Sequence, residues 1–278
     1  MYELEYVRKR KRRKFVAIGA GASSVVVSTF AIVAFLGRFV GTFTVSLDTG
    51  DVQLTLSESS SFKKQSSFLR IDTLPVFQET TYLDLPSDED LDTEKTDYLT
   101  GANYDEDEKG KKTLASLNYF KYTFYVKNVG KKAARYDLQL KIKDKKASDN
   151  GDSLVDTMRV EIFETKYLQD DSLEESQKEE RVRKEVYAAR AAVHHDDENG
   201  NANFQELISV PGGDYATMFE SDNVIATIPV KDFTKGDIRR YTIVSWLEGE
   251  DPQSNHTKLA PKGASIKLGV EINAYENK

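Results

Sequence analysis

The run Phe15 to Gly37, FVAIGAGASSVVVSTFAIVAFLG, is 23 residues without a charged side chain. As a helix rising about 1.5 Å per residue it would extend roughly 35 Å, enough to cross a hydrocarbon core of about 30 Å. Seven bases, Arg8 to Lys14, stand directly before it, and such a cluster stays on the cytoplasmic side of a membrane. The expected organisation is a basic cytoplasmic tail (1–14), a transmembrane helix (15–37) that partners the lipid bilayer, and an extracellular domain (38–278). A removed secretory signal shares the basic start and apolar core, but its core is about 7–15 residues long, with small residues at the cleavage site. Leu36-Gly37-Arg38-Phe39-Val40 offers no Ala-x-Ala, which favours a retained anchor.

The formal charge of −7 hides an asymmetry, because residues 1–14 carry net +5 and the remainder −12. A domain so acidic repels phosphate, so nucleic acid is not an expected partner. The absence of cysteine excludes disulfides, thiolate metal sites and a cysteine nucleophile. An exported chain without disulfides rests on its core alone, which suits a single-membrane bacterium.

Beyond the apolar run, period-two alternation dominates. Phe39, Gly41, Phe43, Val45 and Leu47 form one strand, and Asp48-Thr49-Gly50-Asp51 has the residues of a tight turn. Val52, Leu54 and Leu56 then continue the alternation, so a hairpin is expected. Ser57 to Ser67 reads as a loop. Glu79 to Glu108 holds twelve acids against one base, Lys95. The tyrosines and leucines among those acids point to a long acidic loop, at about 75–113, that is pinned to the domain. YFKYTFYV, Tyr119 to Val126, is aromatic and β-branched enough for a central strand, ended by the turn chemistry of Asn128-Val129-Gly130-Lys131. Tyr136, Leu138, Leu140 and Ile142 give the strand that returns. Val155 to Phe163 gives another, with a broken period that fits a bulge. Gln169 to Lys184 reads either as a surface helix or as an extended hairpin tip.

Further strands are expected at Val224 to Val230, Tyr241 to Leu247 and Ile266 to Ile272. The second of these is apolar on both faces, with Trp246 as a core anchor before the acidic turn Glu248-Gly249-Glu250-Asp251-Pro252. About ten short strands with almost no helical pattern predict an all-β fold, an immunoglobulin-like β-sandwich ectodomain preceded by one transmembrane helix.

No catalytic residue is identified. His194, His195 and His256 lack zinc spacing, and neither Gly-x-Ser-x-Gly nor a Gly-rich phosphate loop occurs. One stretch approaches a calcium loop, with Asp197, Asn199, Asn201 and Glu206, and also Asn203, at ligand spacings after His195, and Gly200 at the turn. His195 supplies no oxygen at the first position, so a solvated turn is the simpler reading. No cofactor is expected beyond that calcium ion.

FVGTFTVSLDTGDVQLTLS, YTFYVKNVG, YTIVSWLEGEDP and GASIKLGVEINAY, placed after a basic tail and apolar segment, resemble the exported camelysin/TasA-like proteins of Gram-positive bacteria. The similarity is to the loose wider group with a specialised signal-peptidase-dependent leader. The resemblance implies a structural or adhesive protein of the cell surface. Its camelysin members imply an alternative, a secreted metallopeptidase, for which no zinc motif is present to match. A subunit of a membrane complex is a third expectation. On balance the sequence predicts a membrane-anchored, non-catalytic surface protein that binds an unidentified protein or itself.

Overall fold

A computed structural model describes residues 39–47, 52–71, 80–93, 102–148, 153–168, 172–174, 177–189, 195–196, 202–203, 216–249 and 264–276. In chain order the strands are β1 (Phe39–Leu47), β2 (Leu54–Ser57), β3 (Phe68–Ile71), β4 (Ala102–Glu106), β5 (Lys112–Leu117), β6 (Tyr119–Asn128), β7 (Ala134–Lys146) and β8 (Met158–Tyr167). They continue as β9 (Glu179–Ala188), β10 (His195–Asp196), β11 (Ala202–Asn203), β12 (Thr217–Met218), β13 (Val224–Phe233), β14 (Ile238–Leu247) and β15 (Ser265–Glu276). Two single helical turns, α1 (Asp88–Leu91) and α2 (Leu154–Thr157), and a 3-10 turn at Tyr82–Asp84 complete the set.

The fold is all-β and built on two large sheets, ordered β13-β7-β15-β1-β3 and β12-β9-β8-β14-β6-β2. Alternation decides what lies between them. Leu138, Leu140 and Ile142 of β7 are buried in one cluster with Tyr122 and Phe124 of β6 and Ile243 of β14. Tyr136 of the first sheet and Tyr241 of the second share a hydrogen bond of 2.7 Å between their hydroxyls, and Tyr241 stacks on Phe124 with ring centroids 5.5 Å apart. The central placement expected for Tyr119 to Val126 is found, since β6 lies between β14 and β2.

Several local expectations are corrected. β1 and β2 form no hairpin: β1 runs parallel to β15 over nine residue pairs and antiparallel to β3, while β2 pairs with β6. Nine ladder pairs outweigh what the four-residue β2 could offer, so the chain changes sheets at the turn. Nor does β7 return onto β6. Both edges of β6 are occupied, and β7 crosses to lie between β13 and β15. Asn128 locks that crossing by donating to the carbonyls of Lys132 at 3.0 Å and Phe233 at 2.7 Å, and by accepting from the Gly130 amide. Gly236 closes the neighbouring turn at φ 92°, a left-handed conformation that glycine adopts without strain. The broken period at Val155 is the helical turn α2 rather than a bulge. β8 and β9 pair as a hairpin out to Tyr167 and Glu179, which agrees with the hairpin-tip reading of Gln169 to Lys184, and β4 of the acidic loop pairs with β5, which runs on past the loop's expected end.

Among the described residues no helix is long and apolar enough to cross a membrane. The basic tail and the expected spanning run Phe15 to Gly37 lie outside the described residues.

Candidate functional site

The second sheet has an outer face, and its composition is unusual. Tyr241, Ile243, Ser245 and Leu247 turn inward, so Arg240, Thr242, Val244 and Trp246 turn outward. The pairing places Lys121 and Thr123 of β6, and Arg159, Glu161, Phe163 and Thr165 of β8, on that same outer side. All of these are buried. What covers them in part is residues 80–93, TYLDLPSDEDLDT preceded by Thr80, with five acids and no base.

This acidic strap is fixed at both ends. Thr80 forms a parallel bridge with Glu248, through Thr80 N to Leu247 O at 3.0 Å and Gly249 N to Thr80 O at 2.9 Å. Glu248 accepts from the Trp246 indole at 2.9 Å and from the Tyr82 amide at 3.2 Å, and Tyr82 packs on Trp246 with ring centroids 5.8 Å apart. Trp246 is thus fully buried, as expected of an anchor, but beneath the strap rather than between the sheets. At the far end Asp92 accepts from Arg240 at 3.1 Å and Arg181 at 2.8 Å. Lys121 donates to the Asp90 carbonyl and to the Thr93 hydroxyl. Between the ends, Ser87 caps α1 by accepting from the Asp90 amide, as serine does at helix starts. Leu91 is driven into the core.

Under the middle of the strap lies a cavity of about 290 Å³, lined by Tyr82, Leu85, Pro86, Asp88, Leu91, Glu161 and Lys184 among others. Glu161 has a side chain only 1% exposed, and neither carboxylate oxygen has a hydrogen-bond partner among the described residues. Its nearest opposite charge is Lys184 Nζ at 3.7 Å, an ion pair too long for a hydrogen bond. Lys184 instead donates to Asp88 at 2.7 Å and to the Tyr82 hydroxyl at 3.2 Å. Burial pushes the Glu161 carboxyl up to about 7, against the opposing pull of Lys184 and with a further push from Asp88. For Lys184, burial lowers the value, but the bonds to Asp88 and Tyr82 and the charge of Glu161 outweigh it, so the net direction is upward. Lys184 is therefore an ammonium at neutral pH and no nucleophile. The site holds one buried carboxylate on the edge of ionisation, at the floor of a half-apolar cleft.

Asp197, Asn199, Asn201 and Glu206 lie outside the described residues, as do His194 and His256. His195 and Asn203 pair as backbone partners in the two-residue β10/β11 ladder. Among the described residues no group of three or more His, Cys, Asp or Glu is arranged for a metal ion. Of the acidic turn after Trp246, Glu248 is engaged internally by the bonds above, while Glu250 and Asp251 lie outside the described residues.

Glu161, Lys184 and Asp88 were not legible as a site. Glu161 stands between Val160 and Ile162 in a strand, a pattern that reads as one solvent-facing residue; only the strap turns that face into an interior. Comparison with known protein families and with curated protein sequences returns no match for this chain.

Proposed function

We propose that this chain is a non-catalytic, membrane-anchored surface protein with a structural or adhesive role. Phe15 to Gly37 would span the bilayer, the amino terminus would be cytoplasmic, residues 38–278 would be displayed outside, and the strap-covered face would be the recognition surface. The observation that carries this reading is the position of β1. A single residue, Arg38, separates the apolar run from a strand paired on both sides and laddered to β15 over nine pairs. A pull along β1 has to shear that ladder rather than unzip it, which suits a tether under load.

The exposed sheet edges favour display over self-assembled fibres. β13 carries Pro229 and a register shift between Val230 and Phe233, and β3 has only four residues; proline, bulges and short edges all discourage strand addition. For the sandwich class we propose the immunoglobulin-like type expected from sequence. Support comes from the two sheets, five-stranded β13-β7-β15-β1-β3 and six-stranded β12-β9-β8-β14-β6-β2, between which the chain repeatedly crosses. The resemblance to camelysin/TasA-like proteins is compatible with an exported β domain of this kind and remains part of the proposal.

Carbonate extraction of native membranes tests the anchoring. The full-length chain should stay in the pellet, and a Val26→Asp/Val33→Asp double variant should be released. Recovery of the wild type in the supernatant would overturn the reading.

A further inference from the structure

The cleft beneath the strap has a floor of one chemical kind and walls of another. The floor is Glu161, buried and without a hydrogen-bond donor among the described residues. The walls include Leu85, Pro86, Leu91 and the Tyr82 ring. A buried carboxylate without a hydrogen-bond donor costs free energy, and a donor that reaches it recovers that cost. Of the charged groups that line the cavity, Asp88 and Glu161 oppose Lys184 alone, and Asp88 already takes Lys184 at 2.7 Å. Asp88 also has Arg181 at 3.8 Å, so what Glu161 lacks is a hydrogen-bond donor rather than a counter-charge.

We propose that this pocket binds an alkylammonium ion, with its –NH3+ group against Glu161 and a short aliphatic stem against Leu85, Pro86 and Leu91. An anion would meet two carboxylates and an ammonium that is already spoken for. A calcium ion takes about 6–8 oxygen ligands, and Lys184 stands where a third carboxylate would be needed. A guanidinium prefers both carboxylate oxygens at once, but the Lys184 ammonium faces Oε1 at 3.7 Å, which leaves Oε2 for a single donor. A volume of about 290 Å³ lies just below the usual range for drug-sized ligands, roughly 300–1,000 Å³, and suits a side-chain-sized guest. The guest is either a free amine or the lysyl side chain of a partner, since the chemistry presented to the pocket is the same.

The inference rests on the recognition role proposed for this face, whereas anchoring is read separately by carbonate extraction, so the two can fail independently. The test is calorimetric titration of the full-length chain in detergent micelles at pH 8 with n-butylammonium, Nα-acetyl-lysine methylamide, n-butylguanidinium and acetate. Saturable binding of n-butylammonium is expected, and Glu161→Gln should weaken it by at least about tenfold, the usual worth of a charged hydrogen bond. Lys184→Ala should tighten it, because a competing cation leaves; loss of affinity there would overturn the assignment. Trp246 fluorescence verifies that both variants are folded. Binding of both amines identifies a lysyl side chain as an acceptable source, and binding of n-butylammonium alone identifies a free amine. The proposal fails if neither amine saturates, if Glu161→Gln leaves affinity unchanged, if n-butylguanidinium binds tighter than n-butylammonium, or if acetate is the ligand that binds.

Discussion

Replacing Glu161 by glutamine should change how stability depends on pH more than it changes stability itself. The folded carboxyl titrates at about 7 against an ordinary value of 4.5. Below pH 4.5 both folded and unfolded chains carry the proton, and the group contributes no pH dependence. Between 4.5 and 7 the unfolded chain ionises first while the folded chain retains the proton, so stability falls as pH rises, and above 7 the loss levels off. The gap between 4.5 and about 7, at about 1.4 kcal/mol for each tenfold change in proton affinity, amounts to about 3 kcal/mol. The side chain is 1% exposed, so solvent screening removes little of this. Glutamine keeps the shape and cannot ionise, so the variant should gain about 3 kcal/mol on the wild type between pH 4 and pH 8. Urea unfolding of the full-length chain in micelles, followed by the single tryptophan, reads this directly. At a urea dependence of about 1–3 kcal/mol/M, the midpoints should separate by about 1–3 M at pH 8 and converge at pH 4. Parallel pH profiles for the two proteins would refute the claim that Glu161 is buried without a donor.

Other consequences are more local. Trp246→Ala should cost about 3–5 kcal/mol and release Tyr82 from its ring contact, with the wild-type fluorescence blue-shifted and poorly quenched by iodide; strong quenching would place the ring in solvent. Arg240→Ala leaves the buried Asp92 with the Arg181 cation and a long bond from the Thr165 hydroxyl and should cost about 3–5 kcal/mol, with faster proteolysis in the strap; an unchanged urea midpoint would remove Arg240 from the account. Deleting residues 1–37 should give a soluble monomer, whereas deleting 1–47 removes β1, opens the edge of β15 and should cause aggregation. Ordered filaments from the shorter deletion, seen by electron microscopy, would favour TasA-like assembly over anchored display.

Strands with a strict period were the legible part of this fold. β6 and β14, which contain Tyr119 to Val126 and Tyr241 to Leu247, pair with each other over nine residues, as their composition requires of central strands. Connectivity was not legible, because alternation fixes which side chains share a face and leaves open which sheet a strand joins. That is why β1 and β2, and then β6 and β7, part company at turns that look like hairpins. The candidate site was hidden for a related reason. Glu161 and Lys184 sit at positions that are solvent-facing in an isolated sheet, and Asp88 belongs to a run whose acidity reads as solvation. Their meeting depends on contacts between segments about 70 to 170 residues apart, set by the Thr80 bridge to Glu248 and by the Asp92 pairs.

Display of the sandwich on the outer side of a membrane is tested by protease treatment of intact, wall-stripped cells. An epitope at the amino terminus and another at the carboxyl terminus report the two ends of the chain. The account predicts that added protease removes the carboxyl-terminal epitope and leaves a small membrane-bound fragment with the amino-terminal one. Full protection of the carboxyl-terminal epitope, with digestion only after the cells are lysed, would contradict it.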